Sequence, residues 1–234
     1  MLRCVARRVL STAAARNPEA IHSAVEEPLP RVRLTGQDSA TSHLSLFPSP
    51  KVVIPTFEIS RRVGTFVSQW VYQMFYEKAY SLERFVHAVN EGTSVLGECI
   101  VNEEWTRMSV VASSELVEDC KLARQRFSTE QLSALRFQPN DVVLSFLHSS
   151  LISTKKVVKE DERSLVTCIY FTVVSFIRKN DSVPEDATLS QLLNKFKDDV
   201  IVSNVTFARN ISPLGQWKAV SVNFFSLDEA SGHQ

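Results

Sequence analysis

The chain has 234 residues, an apolar content of 44% and equal numbers of acidic and basic residues. A formal net charge of zero disfavours a protein built mainly to coat nucleic acid, because such proteins are normally basic. No run of about 20 apolar residues is present, so no membrane-spanning helix is predicted. The four cysteines are Cys4, Cys99, Cys120 and Cys168. No two of them form a CxxC pair, which favours free thiols in a reducing compartment.

Residues 1–18 have the composition of a mitochondrial presequence. They contain four arginines and no acidic residue, and their apolar residues can share one flank of a helix. Arg8 lies two residues before Leu10, the spacing of a matrix-protease site. We therefore expect import into the mitochondrial matrix and cleavage after Leu10.

Residues 19–60 are rich in proline, serine and threonine and are predicted to form a flexible linker. A single domain is expected over residues 61–227, followed by a short disordered tail, residues 228–234.

The first predicted helix runs from Val63 to Tyr76 and is amphipathic. Its apolar stripe, which includes Phe66, Trp70 and Met74, could face either a membrane surface or a protein. Because the polar face is made of Thr, Gln and Tyr and not of Lys, packing on the domain itself or on a partner is favoured. Contact with lipid remains an alternative.

The second predicted helix begins after Ser81, a good N-cap residue. Tyr80 and Phe85 have the spacing of a hydrophobic staple across that cap. One apolar stripe at helical spacing then continues for five turns and must pack on another element. Its members are Leu82, Phe85, Val86, Val89, Thr93, Leu96 and Ile100.

Three shorter helical segments are expected before the strands begin. One is predicted to start near Asn102, and the Ser113-Ser114 pair is predicted to break it and cap a second piece. Ser128 and Gln131 have the spacing of a capping box, which predicts a short helix ending near Leu135.

After Pro139 the apolar pattern becomes that of β-strands. Lys155–Arg163 is predicted to be a charged turn, and one or two helical turns are expected near Leu192. The order of helices followed by an antiparallel meander predicts an α+β domain. The expected strands are Val142–Ile152, Leu165–Ile177, Val200–Ala208 and Trp217–Phe225.

Motifs of enzymes and metal sites are missing from the sequence. It contains no GxGxxG, P-loop, HExxH or GxSxG pattern, and no cofactor, metal site or catalytic residue is predicted. Neither His87 nor His148 has a Cys or a second His at ligand spacing. The alternative of a pocket enzyme would use His148 as the acid–base group with Asp141 just before it.

Several motifs together resemble the mitochondrial m-AAA protease-interacting proteins. The first is the run Met74-Phe75-Tyr76 followed by Tyr80-Ser81-Leu82-Glu83-Arg84-Phe85. The second is Phe207-Ala208-Arg209, and the third is Trp217-Lys218-Ala219-Val220-Ser221-Val222. The likeness extends over residues 70–226 in order and spacing. The superfamily also includes the inner-membrane anchor of the presequence-translocase import motor and a large-subunit mitoribosomal protein.

This resemblance implies a cone-shaped, cystatin- or NTF-like fold with N-terminal helices on a curved four-stranded antiparallel sheet. It also implies a non-catalytic matrix protein at the inner membrane that binds m-AAA protease subunits. The implied client is the small regulator subunit of the calcium uniporter, which the protein would escort so that the client assembles before it is degraded. No nucleic acid, metal or cofactor is expected, and no individual contact residues are implied.

Two related functions remain open. A large-subunit mitoribosomal protein would carry basic patches for rRNA phosphates. Residues 51–234 hold 20 basic and 22 acidic residues, which disfavours that function but leaves a local patch such as Arg124, Arg126 and Arg136. The other alternative is membrane tethering of the kind found in the import-motor anchor.

Overall fold

The computed structural model describes residues 44–48, 51–55, 58–159, 162–212 and 214–227. The predicted presequence with its cleavage site and the predicted C-terminal tail lie outside the described residues. The described residues belong to one compact unit.

Helices come first along the chain and strands follow, which confirms the α+β prediction. The helices are α1 (Ile59–Phe75), α2 (Leu82–Asn102), α3 (Trp105–Val111), α4 (Ser114–Arg124), α5 (Thr129–Ala134) and, between strands, α6 (Leu189–Asn194). The strands are β1 (Val142–Lys159), β2 (Glu162–Arg178), β3 (Val200–Ser212) and β4 (Lys218–Ser226), and a 3₁₀ turn, Pro139–Asp141, precedes β1.

The four strands form one antiparallel sheet in the order β1-β2-β3-β4. Because side chains alternate across a strand, Val173 and Val205 face the layer of helices α2 to α5, whereas Val174 and Val202 face the other side. There the loop after β2 and helix α6 cover part of the sheet with Leu192 and other apolar residues.

Helix α2 is the centre of the helical layer and buries the second half of its predicted stripe. Val89, Leu96 and Ile100 are inaccessible or nearly so. Gly97 lies so close to α5 that a Cβ atom there would be 2.4 Å from the carbonyl oxygen of Leu135. The close approach of the two backbones therefore requires glycine at this position.

Helix boundaries agree with several of the predicted caps and correct one of them. The Ser113 and Ser128 hydroxyls accept the N–H groups of Leu116 and Gln131, and the Ser128 capping box is complete. Ser81 is the N-cap of α2, but its hydroxyl makes no capping hydrogen bond. Asn102 does not start a helix, because α2 continues through it and ends at Glu103, which has a left-handed φ of 60°.

The predicted linker ends earlier than the prolines indicated. Ser45 forms a bridge to Phe225 in β4, and the Asn223 side chain bonds both the N–H and the carbonyl of Phe47. Leu44 and Leu46 are buried in the core. These residues cover the free edge of β4 and so belong to the domain, because an edge strand leaves backbone groups unpaired.

Two of the predicted turns are shorter than the sequence pattern indicated. The strands β1 and β2 stay paired as far as Lys159 and Glu162, so most of the predicted charged turn Lys155–Arg163 is hairpin strand. The strand β3 continues to Ser212, past its predicted end at Ala208, and so shortens the connection to β4. In both places antiparallel pairing continues beyond the apolar residues from which the strand ends were predicted.

Candidate partner-binding surface

Helix α1 packs on the sheet through its polar face. Tyr72 is fully buried, and Thr65 lies seven residues, or about two helical turns, before it on the same side of the helix. The Ser150 N–H of β1 donates to Thr65 Oγ1 at 3.3 Å, and the Ser150 hydroxyl donates to the Thr65 carbonyl at 2.9 Å. Because β1 is an edge strand, Thr65 pairs a backbone N–H that no neighbouring strand reaches.

The apolar stripe of α1 points away from the sheet. Of the three residues predicted to face a membrane or a partner, Phe66 is 69% exposed, Trp70 46% and Met74 55%. Ile59, Val63 and Val67 are exposed on the same side. These six residues, which we call the α1 stripe, present on the order of 700 Å², more than the few hundred Å² typical of the apolar patches on a monomer.

A partly buried ion pair holds the C-terminal end of α1 against β3. Arg209 donates to the Tyr72 hydroxyl at 2.7 Å, to Glu77 at 2.8 Å and to the Gly215 carbonyl at 2.7 Å. The Tyr72 hydroxyl in turn donates to Glu77. Burial and the bond to Glu77 raise the pKa of Tyr72 well above its usual range, although the Arg209 charge opposes that shift.

Aromatic rings from four separate parts of the chain surround this ion pair. The ring of Phe85 lies 4.8 Å from Phe171 and 5.0 Å from Trp217, while Tyr80 lies 5.3 Å from Tyr72. The Arg209 guanidinium is 5.7 Å from the Trp217 ring. Edge-to-face and tilted ring pairs of this kind contribute about 0.5–1.5 kcal/mol each beyond their burial.

Residues from all three of the resemblance motifs therefore meet at one place. Tyr80 and Phe85 come from the first motif, Arg209 from the second and Trp217 from the third. Burial, together with the neighbouring Tyr72 and Glu77, raises the pKa of Tyr80, so its phenol stays protonated. The arrangement is a structural anchor that fixes α1 on the sheet.

Sequence patterns did not indicate this anchor. Tyr72 and Glu77 were not predicted to matter, because the apolar stripe of α1 was expected to be the contact face, toward the domain itself, a partner or a membrane. The one available signal was a large aromatic residue, Tyr72, in the middle of an otherwise small and polar helix face.

His148 and Asp141 are not brought together. Asp141 accepts the Gln138 N–H and pairs with Arg178. The His148 side chain lies near Arg61 of α1, and burial followed by the Arg61 charge lowers its pKa. Nδ1 of His148 is buried and has no hydrogen-bond partner among the described residues. The described residues therefore do not assemble the acid–base pair of the pocket-enzyme alternative.

Two open clefts lie at the end of the sheet near Arg178. One, of about 530 Å³, includes Arg136 and Asp141, and the other, of about 660 Å³, includes His87 and Glu185. His148 lines neither cleft. Arg178 contributes to both but is paired with Asp141 and Glu185.

Two of the three arginines suggested as an rRNA-binding patch bind the end of α2 instead. Arg124 donates to the carbonyls of Ile100 and Val101, and Arg136 donates to the Asn102 side chain. Because the last carbonyls of a helix lack partners within it, these cations stabilise the α2 C-terminus.

Neither a metal site nor a membrane span is found in the part of the chain that the structure describes. Within it, His, Cys, Asp and Glu side chains form no group of three or more that could hold a metal ion. The helices within it are too short or too polar to cross a bilayer.

No protein-family model matches this sequence, and no curated protein sequence is similar to it at a significant level. The resemblance to the m-AAA protease-interacting proteins therefore rests on the three motifs.

Proposed function

We propose that this protein is a non-catalytic adaptor of the mitochondrial matrix that binds the m-AAA protease. It escorts a newly imported inner-membrane client, the regulator subunit of the calcium uniporter, until the client is assembled. The observation that carries this proposal is the α1 stripe, which lies on the outer side of a firmly anchored helix.

The stripe fits the chemistry of such a client. A membrane-protein client has an apolar helix of about 20 residues that must be kept from water before insertion. With 17 residues α1 is about 25 Å long, so it can cover most of such a segment. Docking of one apolar helix face on another needs complementary side chains and no catalytic group.

The anchor supports the same function. Arg209, Tyr72 and Glu77 hold the C-terminal end of α1, and Thr65, near the middle of the helix, is hydrogen-bonded to β1. A helix fixed at two points along its length presents its stripe in one orientation and loses little conformational entropy when a partner binds.

Membrane tethering is the second candidate, because an apolar stripe with Trp70 and Phe66 also suits the interface of a bilayer. The mitoribosomal alternative is less well supported, since Arg124 and Arg136 are engaged within the protein.

Affinity purification of the tagged full-length chain from gently solubilised mitochondria tests the proposal. We expect m-AAA protease subunits and the uniporter regulator to co-purify, and a Phe66→Glu/Trp70→Glu variant to lose at least the client. The matched control is Leu122→Glu, which changes a residue 60% exposed on α4. Equal recovery of the client with both variants would contradict the proposal.

Two other outcomes identify the alternatives. Recovery of a complete set of large-subunit ribosomal proteins would indicate the mitoribosomal function. Binding of purified protein to cardiolipin-containing vesicles, lost in the Phe66→Glu/Trp70→Glu variant and without protease or client in the purification, would indicate membrane tethering.

A further inference from the structure

The α1 stripe is symmetric along the helix. Its six residues are arranged in mirror order about the peptide bond between Phe66 and Val67. When two copies of α1 lie antiparallel and are centred on that bond, every stripe residue faces another stripe residue. The pairs are Ile59 with Met74, Val63 with Trp70, and Phe66 with Val67.

The sizes of the paired residues are complementary. Each pair places a long or aromatic side chain of one copy opposite a β-branched side chain of the other. Interdigitation of large and small residues is what close packing of two helices requires. A parallel arrangement would instead set Trp70 against Trp70 and Val63 against Val63, which leaves crowding at one level and a gap at another.

The charges of α1 also favour the antiparallel arrangement. Arg61 and Arg62 lie near the N-terminus, no acidic residue occurs in the first turn, and no basic residue occurs in the last turn. The C-terminal end of a helix carries partial negative charge. In the antiparallel pair Arg62, at the border of the stripe, lies beside the last turns of the opposite helix, whereas a parallel pair would bring four arginines together.

We propose that the α1 stripe is the interface of a homodimer, in which two copies of this chain pair through antiparallel α1 helices. The exposed area of the stripe, on the order of 700 Å², agrees with this occupant. Interfaces of standard size bury roughly 800 Å² per partner. The interface is isologous, so the dimer is closed and does not extend into a filament.

The homodimer does not depend on the proposed escort function. If the client also binds the α1 stripe, the two occupants exclude each other, and the dimer is the client-free form.

Sedimentation equilibrium of the purified full-length chain measures the association directly. We expect a dimer at micromolar concentrations and at least a tenfold weaker association for Trp70→Glu and for Val63→Glu. Val110→Glu, at a residue 66% exposed on α3, and Leu122→Glu are the matched controls and should leave the dimer intact. Circular dichroism of each variant, compared with the parent chain, separates loss of the dimer from loss of folding.

Thiol cross-linking tests the orientation. In a Cys4→Ser/Cys168→Ser background the two remaining cysteines, Cys99 and Cys120, are buried. Chains with Ile59→Cys should be linked by a short bismaleimide to chains with Met74→Cys, while neither should be linked to itself. Strong self-linking of both single variants would show a parallel pair and overturn the antiparallel dimer.

The remaining outcomes are equally decisive. A monomer at 100 μM, or a dimer insensitive to Trp70→Glu, would overturn the homodimer. If a monomeric protein still captures the client from mitochondria, only the homodimer is wrong; if the protein dimerises through α1 but captures no protease or client, only the escort function is wrong.

Discussion

Helices α1 and α2 have similar amphipathic patterns but opposite placements. In α2 the apolar residues Leu96 and Ile100 are completely buried against the sheet and neighbouring helices. In α1 it is the polar face, with Thr65 and Tyr72, that meets the sheet. The comparison shows that an apolar stripe identifies a surface that needs a partner, while the rest of the fold decides whether that partner belongs to the same chain.

The largest difference is expected on truncating one apolar residue in each helix. Leu96→Ala in α2 should lower the free energy of unfolding by about 3 kcal/mol, because it leaves a cavity in the core. Ile59→Ala in α1, at a residue 79% exposed, should change it by less than about 0.5 kcal/mol in dilute, monomeric protein. Urea unfolding followed by circular dichroism measures both. Similar losses for the two variants would mean that α1 is packed more tightly than the structure shows.

The anchor of α1 provides the second contrast. Arg209→Leu should lower the free energy of unfolding by about 2 kcal/mol, because Glu77 and the Tyr72 hydroxyl lose the cation that both contact in a partly buried site. Arg209→Lys keeps the charge but not the fork of donors, so an intermediate loss is expected.

The same Arg209 variants separate anchoring from general stability. With the C-terminal end of α1 released, trypsin should cleave after Lys78 faster in Arg209→Leu than in the parent chain. The two proteins are compared at temperatures chosen so that their free energies of unfolding are equal. An unchanged cleavage rate would indicate that the aromatic rings alone hold the helix.

One glycine in each helix gives a smaller but opposite pair of effects. Gly97→Ala in α2 should destabilise by about 1 kcal/mol, because contact with the Leu135 carbonyl outweighs the better helix propensity of alanine. Gly64→Ala in α1 should stabilise by about 0.5–1 kcal/mol, since a Cβ there meets no atom within 4 Å. Thermal and urea unfolding should show changes in stability of opposite sign for the two variants. Changes of the same sign would mean that the two helices are not packed as differently as proposed.

The smallest expected effect is the dependence of stability on pH that arises at His148, beside Arg61 of α1. Burial and the Arg61 charge lower the pKa of His148 in the folded protein. The unfolded chain therefore binds a proton that the folded one does not, so stability is lost as the pH falls below about 6.5. His148→Phe should flatten the dependence of stability between pH 7 and pH 5.

The Arg61→Gln variant checks the cause of that shift. We expect a slope between those of the parent chain and His148→Phe, because burial remains while the nearby positive charge is removed. A slope steeper than that of the parent would contradict this account.

Local signals in the sequence predicted much of the fold. The capping box at Ser128, the N-cap at Ser113, the staple of Tyr80 on Phe85 and the alternation of apolar residues in the strands each depend on near neighbours in the chain. For the same reason Phe66, Trp70 and Met74 were recognised as one face of one helix.

Long-range contacts could not be predicted in the same way. Leu44 and Leu46 were predicted to be part of a linker, because nothing near them in the sequence shows that they pair with the edge of β4. Asp141 and His148 are close in sequence, but an extended strand separates them and their side chains contact different elements.

By itself the sequence determined which faces are apolar, where α2, α4 and α5 begin and that a meander of four strands follows, because these depend on propensity, capping and periodicity. Only the tertiary structure decided which of the two long apolar faces is buried. The helical side of the sheet is occupied by α2 to α5, and α1 is held by polar bonds, on β1 through Thr65 and on β3 through Tyr72 and Arg209. Its apolar stripe therefore remains at the surface, where it can bind a second molecule.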